Sequence, residues 1–343
     1  MHMADALLAP TVAATMYVAS GAMAGVSIKK LRADKEIDKL PLMGVMSAFV
    51  FAGQMINYTI PGTGSSGHMC GGMMLTALLG PYAGFLSMIV ILAIQSLFFA
   101  DGGLMALGAN IWNMSFYGCF VGYFLIYRPI MKSRFATEKV RLVVASVVGC
   151  IVTLQLGAFS VCIETLASGI TELPFGAFVG LMQPIHLAIG LIEGLVTAAV
   201  LLFVYASRPE LLEVIGENET TPSRLTAKNT VLALGIAALL IGGIGSQFAS
   251  GNPDGLEWSL FGNAESGYSE NMGLDEESYG VVSSAADAAA AIQESTAFLP
   301  DYAFANDAEN RVGTSVSGIV GSAMVAVFAV VICFAGGYYR KKR

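Results

Sequence analysis

Residues 82–100 read YAGFLSMIVILAIQSLFFA, nineteen consecutive residues without a charge. A helix of about 20 apolar residues crosses the hydrocarbon of a bilayer. Comparable stretches lie at 7–27, 42–60, 69–80, 107–127, 141–162, 180–206, 229–248 and 315–337. The stretch at 69–80 is short, and is expected to be tilted, broken or re-entrant. The composition agrees: the 343 residues are 55% hydrophobic and 13% charged, with a mean hydropathy of +0.68, whereas soluble domains carry about 25% charged residues. The expected fold is an all-α polytopic membrane protein of about nine transmembrane helices. The five cysteines are scattered through the chain and imply no disulfide framework.

Orientation follows from the basic residues, since cytoplasmic loops carry the excess of Lys and Arg. Lys29, Lys30, Arg32, Lys35 and Lys39 follow the first stretch, and Arg128, Lys132, Arg134, Lys139 and Arg141 follow the fifth. Arg208, Arg224 and Lys228 follow the seventh, and Arg340 to Arg343 the last. Placing these four groups inside lets nine spans alternate without conflict, with Arg311 the one basic residue outside. The N-terminus is then outside and the C-terminus cytoplasmic, in a multi-pass protein of the plasma membrane.

The chain opens MHMADALLAP, and its first basic residue is Lys29, beyond the first span. A secretory signal begins with a positive segment, so Met1 is expected to remain in the mature protein. An α-amine on Met1 and an imidazole on His2 then stand together at the outer face. The amine, the His2 amide nitrogen once deprotonated, and a His2 ring nitrogen close two adjacent chelate rings around one ion. Near-planar nitrogen ligation suits Ni(II) or Cu(II), with Co(II) weaker. The chain holds three histidines, His2, His68 and His186. His68 lies in the outward glycine- and serine-rich link NYTIPGTGSSGHMCGG (57–72) and is the natural fourth nitrogen; alone it would read as a polar loop residue.

These residues carry a family resemblance. MHMADALLAP, PGTGSSGH, LLGPYAGFLSMIVILAIQSLFFADGGLMALGANIWNM and HLAIGLIEGLVTAAVLLFV resemble the membrane substrate-binding component of energy-coupling-factor (ECF) transporters for cobalt and nickel, the CbiM/NikM family. The resemblance covers about 1–206. Residues 229–343 resemble the family's small two-span partner subunit through NPDGLE at Asn252–Glu257, so the chain is similar to a fusion of the two. The implied organisation is a seven-helix metal-binding domain at 1–206, a cytoplasmic linker at 207–228, and a two-helix PDGLE-type domain at 229–343 with an acidic outer loop at 249–314. The resemblance implies Met1, His2 and His68 as metal ligands and a transmembrane coupling subunit with cytoplasmic ATPases as partners. Nickel or cobalt is cargo, and no cofactor is expected. The family usually has glycine where this chain has Ala6.

Other polar residues have two readings each. Asp5 either orients the N-terminal segment or accepts from an imidazole N–H, or else caps the following helix or places a charge in its first turn. Asp101, in the outward turn before the fifth span, and Asn110 and Asn113, three apart on one helix face, either hold the chelating segment or close off the site, or else are ordinary Asp-Gly-Gly turn chemistry and helix-to-helix bonding. Cys70 is either a thiolate that favours a softer ion or a packed apolar residue. His186 and Glu193 share a helical face and form either a further metal contact or a packing pair.

The stretch 249–314 carries twelve carboxylates against Arg311 alone. It either concentrates divalent cations near the site or is a solvated loop with a short alanine-rich helix near Ala285–Ile292. Nucleic acid is not an expected partner, and membrane lipid is. No GxxxxGK[ST] loop and no HExxH pair occurs, so neither ATP hydrolysis nor metalloprotease chemistry is expected of this chain. A self-sufficient secondary carrier or channel is the alternative of another class. It would want acidic residues in mid-membrane, where Glu193 stands almost alone.

Overall fold

The computed structural model describes residues 1–34, 40–215, 226–264, 268–269, 272, 274, 279–304, 306 and 311–338. Lys35, Lys39, Arg224, Arg340 to Arg343 and seven of the acidic-loop carboxylates lie outside them.

The fold is mostly helical. In the N-terminal two thirds, α1 spans Pro10–Asp34, α2 Leu40–Gln54, α3 Gly72–Leu79 and α4 Pro81–Phe99. The helical run 107–132, α5, winds as a π-helix over Trp112–Tyr127. Two long helices follow, α6 over Glu138–Ala167 and α7 over Phe175–Ser207. The C-terminal segment supplies α8 (Ala227–Gly243), α9 (Gly255–Phe261), α10 (Ser284–Thr296) and α11 (Arg311–Tyr338).

Among the described residues, five helices are long and apolar enough to cross a membrane: Pro10–Leu31, Pro81–Phe99, Glu138–Ala167, Phe175–Ser207 and Arg311–Val331. Pro41–Gln54 and Lys228–Gly243 are shorter apolar helices. Two expected spans take a different form. The stretch 42–60 stops being helical at Gln54, and its end enters a hairpin in which Tyr58–Ile60 pairs antiparallel with Ser65–Gly67. Pro61 breaks the helical pattern, and Gly62 and Gly64 supply the positive φ angles that the turn needs. The stretch 69–80 forms only the eight-residue α3, every residue of it buried, about 12 Å long at 1.5 Å per residue. Gly71 starts it in the left-handed region and Gly80 ends it with φ 81°, where the chain reverses into Pro81 of α4.

Small residues set the closest packing. A Cβ on Gly190 or Gly194 of α7 would meet the α6 backbone at Ile151 and Val147 at 2.9 and 2.6 Å. Gly242 of α8 and Gly318 of α11 stand backbone to backbone in the same way. Such contacts are the usual way apolar helices associate where no water drives them together. The α8–α11 pair packs on α2, and α10 lies on α4. Both parts of the chain therefore converge on the end of the bundle that holds the N-terminus. After α7 the chain stays on the bundle, with Leu212, Val214 and Ile215 buried and the Glu213 amide donating to the Ala77 carbonyl at 2.9 Å.

Candidate metal centre

The first eight residues are threaded into the bundle. Met1 is 4% exposed, and Met3, Leu7 and Leu8 are buried. Asn110 of α5 grips the Met3 peptide from both sides: its Oδ1 accepts from the Met3 amide at 2.7 Å and its Nδ2 donates to the Met3 carbonyl at 3.1 Å. The Gly103 amide also donates to that carbonyl, at 2.9 Å. Asp5 accepts from the Ala106 amide at 2.9 Å, fastening the segment to the 101–106 turn. Burial raises the Asp5 carboxyl against the lowering effect of that bond. Asn113 instead donates to Glu164 of α6 at 2.8 Å, with only a 3.6 Å contact to the Met3 sulfur.

This anchoring brings three sequence-predicted groups together. The Met1 amine nitrogen lies 3.4 Å from His68 Nε2, and the His2 and His68 rings stack at 5.3 Å with 18° between their planes. His2 presents Nδ1 to Asp101 at 3.2 Å and Nε2 to Gln95 Oε1 at 3.3 Å. Gln95 donates to Gln54 at 2.8 Å, and Gln54 donates to the Cys70 carbonyl at 2.7 Å. A buried amide relay thus ties His2 to the loop that carries His68. His68 Nδ1 is 3.1 Å from the Met69 carbonyl, which leaves Nε2 turned to the amine. Two residues on, Glu193 of α7 accepts the Cys70 and Gly71 amides, each at 2.9 Å, clamping the loop.

The fourth partner comes from the C-terminal segment. Asp254 Oδ2 lies 2.5 Å from the Met1 amine and 3.9 Å from His68 Nε2. Its other oxygen caps α9, accepting from the Leu256 and Glu257 amides at 2.7 and 2.9 Å. Glu257 Oε2 completes a capping box by accepting from the Asp254 amide at 3.1 Å. A small cavity of about 10 Å³, on the scale of one water, is lined by Met1, His68, Cys70, His186 and Asp254 among others. His186 Nδ1 faces the Met182 carbonyl at 2.8 Å, and its buried Nε2 has no hydrogen-bond partner among the described residues.

Electrostatics follow from this arrangement. Burial opposes a charged amine, yet the adjoining Asp254 carboxylate raises the Met1 amine above its ordinary 8.0. Burial likewise opposes ionisation of Asp254, but the amine and His68 hold its carboxyl well below the usual range. Burial and the amine's charge drive His68 down to about 3, and burial lowers His2 despite Asp101. Glu257 is pushed up to about 7 by Asp254 and then by burial. The centre is thus an ammonium–carboxylate pair beside two neutral imidazoles. Among the described residues no group of three or more His, Cys, Asp or Glu side chains is arranged to hold a metal.

Of the alternatives, Asp5 fastens the opening segment while Asp101 faces an imidazole, and Asn110 holds that segment while Asn113 bonds a neighbouring helix. Cys70 and His186 line the cavity. Asp101 stands against the opening segment, where it faces His2, whereas Gln54, Gln95 and Asp254 were not singled out; two glutamines within apolar stretches were the signal that could have found the relay.

Known proteins carry the same elements. The family model for the cobalt uptake substrate-specific transmembrane region, CbiM, matches residues 2–211. The chain belongs to the CbiM family. A second model, the PDGLE domain, matches residues 228–336, so this is a CbiM-type substrate-binding membrane component fused to its PDGLE partner. An Archaeoglobus fulgidus chain, provisionally named fused nickel transport protein NikMN, is 41% identical over 215 residues, 62% of this chain and 68% of that one. A Lactiplantibacillus plantarum relative, also provisionally named, is the fused nickel transport protein LarMN, 31% identical over 76% of this chain and 78% of its own. The cobalt transport protein CbiM of Sorangium cellulosum is 30% identical over 62% of this chain and 95% of its own. A solved transition metal transporter aligns with TM-score 0.53 and 30% identity, covering 63% of this chain and 97% of that one. As a member of the CbiM family, this chain is a membrane-embedded component of metal uptake.

Proposed function

We propose that this CbiM-family chain is the substrate-binding subunit of an energy-coupling-factor importer of nickel in the plasma membrane. It captures the ion at the outer face through the Met1 amine, the His2 amide and ring nitrogens, and His68. The observation that carries this reading is the 3.4 Å separation of the Met1 amine from His68 Nε2, with the His2 ring stacked alongside. Metal–nitrogen bonds of about 2.0–2.1 Å set neighbouring donors about 3 Å apart, so the pair needs to close by only a few tenths of an ångström. His2 has to turn a ring nitrogen from Asp101 or Gln95 toward the ion. Asp101 and Gln95 then serve as acceptors that orient the ring.

Nickel is favoured by planar nitrogen ligation and by the nickel names of the two fused relatives. Cobalt is the second reading, favoured by the cobalt-named CbiM relative. The ion is cargo, and no resident cofactor is part of the proposal. The metal-binding domain is 1–206, followed by the linker 207–228 and the PDGLE-type domain 229–343. Nine spans, with the N-terminus outside and the C-terminus in the cytoplasm, complete the topology. Energy comes from a coupling membrane subunit and cytoplasmic ATPases; catalysis is not this chain's role.

The test is nickel and cobalt titration of the purified chain, together with uptake in cells with and without the ATPase partners. Saturable binding of one nickel per chain, with concentrative uptake only when the ATPases are present, is the expected result. Uphill transport by the chain alone in vesicles would replace the subunit reading with that of a self-sufficient carrier.

A further inference from the structure

We propose that Asp254, from the PDGLE segment, is a direct contact of the bound ion, so that the metal centre is shared between the two fused parts of the chain. This rests on the chelate proposed above, and it starts from three distances. The Met1 amine, His68 Nε2 and Asp254 Oδ2 form a triangle with sides of 3.4, 2.5 and 3.9 Å. An ion bonded to both nitrogens at about 2 Å lies about 1 Å off the line between them. Oδ2 is then about 2 Å from the ion if it sits on the carboxylate's side, about 3 Å if it sits above the plane, and about 4 Å on the far side. Unless the segment withdraws, the ion has a carboxylate oxygen bonded to it or next to it.

The orientation of that oxygen is fixed from behind. Oδ1 is engaged by the Leu256 and Glu257 amides and the Asp254 amide by Glu257, so Oδ2 is the oxygen left to face the nitrogens. Ser66 of the His68 loop fastens the same segment, its amide donating to the Pro253 carbonyl at 2.8 Å and its hydroxyl to the Asn252 carbonyl, also at 2.8 Å. Charge points the same way. A divalent ion held by a neutral amine, a deprotonated amide and two neutral imidazoles leaves one positive charge in a buried site, which is costly unless paired. The Asp254 carboxylate supplies that charge from where it stands.

Asp254→Asn is the cleanest variant, because Asn caps a helix about as well as Asp and only the charge is removed. The full chain in detergent would be titrated with nickel sulfate at fixed pH and its thermal melt recorded. Nickel affinity is expected to fall at least about tenfold, the range for a group that supports a metal shell, with the melt preserved. Asp287→Asn, an acidic change on α10, should leave affinity alone. Unchanged affinity in Asp254→Asn overturns the proposal, and so does increased affinity, which would make the carboxylate only a competitor for the amine. A variant-free measurement covers loss of folding. Infrared difference spectra of the native chain with ¹³C-carboxylate aspartate should show an isotope-shifted Asp carboxylate band on nickel addition, and no shifted band overturns the proposal. A chain extended before Met1 separates the two ideas. If it binds nickel as the native chain does while Asp254→Asn does not, the amine chelate fails and the Asp254 contact stands.

Discussion

The pH dependence of nickel binding discriminates the amine–amide chelate from an ordinary histidine site. Binding through the Met1 amine and the His2 amide expels one proton from each below the amine's pKa. That pKa is raised above 8.0, since the Asp254 carboxylate outweighs burial. The imidazoles contribute almost nothing near neutrality. His68 is driven down to about 3 and His2 below 6.5, both first by burial, so they are already neutral. The sign is therefore fixed: affinity rises with pH and is lost on acidification. Two protons released per ion give about 100-fold in affinity for each pH unit, or about 2.7 kcal/mol. This slope should hold without a break from pH 6.5 to 8.0. Two imidazoles of ordinary pKa would give a curve that flattens above about 6.5. The assay is equilibrium dialysis of nickel against the purified chain across that range in a non-coordinating buffer, with the d–d absorption of the bound nickel followed in parallel. A flat profile above pH 7 would refute the amine as donor. A slope of one would remove one of the two, and the N-terminally extended chain then shows which.

Four further outcomes are expected. Adding one residue before Met1 should weaken nickel binding by about 100-fold or more, because sharing the roughly 10–16 kcal/mol of a four-ligand metal site among its donors puts about 3 kcal/mol on each; calorimetric titration with a thermal melt as control reads this. His2→Ala and His68→Ala should do the same, and His186→Ala less, which competition with a chromophoric chelator would rank. Glu193→Gln leaves one of the Cys70 and Gly71 amides without its carboxylate acceptor, costing about 1–3 kcal/mol and read as lower nickel affinity with faster hydrogen exchange in the 66–72 loop. A C-terminal tag should be reachable only from the cytoplasm and one inserted in 262–300 only from outside; finding both on one side discards the nine-span topology.

Much of the fold was legible because apolar length is a strong signal. The stretches 82–100, 141–162, 180–206 and 315–337 became Pro81–Phe99, Glu138–Ala167, Phe175–Ser207 and Arg311–Tyr338. Each helix ran to its next turn residue or cap, which hydropathy alone does not locate. The alanine-rich helix near Ala285–Ile292 is Ser284–Thr296, begun where the Ser283 hydroxyl accepts from the Ala286 amide at 3.1 Å. Hydropathy misread 42–60, since a buried apolar hairpin and a helix end have the same composition. Only Pro61, Gly62 and Gly64 distinguish them, through allowed φ angles. For α3 the residues were right and the length too short to span, because Gly71 and Gly80 break the chain on either side.

The site divides along a similar line. That His2 and His68 come together was legible because histidine is scarce in this chain, with three in all. Their supports were not, because hydrogen-bonding partners such as Gln54 and Gln95 are chosen by three-dimensional approach and leave no spacing in the sequence. Asp254 was visible only as one carboxylate in an acidic stretch, its distance from Met1 hidden by 253 residues of chain. The C-terminal segment in fact reaches the opening residues from two directions. Asp254 pairs with the Met1 amine, while the Tyr302 hydroxyl donates to Asp101, which faces His2. Gln293 adds a third fastening, donating to the Gly102 carbonyl at 2.9 Å and accepting from the Leu104 amide at 3.3 Å, on the turn whose Gly103 amide holds Met3. A flexible N-terminal dipeptide would lose conformational entropy each time it chelated an ion. Here the fused segment and α5 bear that cost in folding, so the amine and His68 stand close together before any ion is bound. Joining the PDGLE part covalently to the CbiM part adds to this, since the linker raises the effective concentration of one for the other.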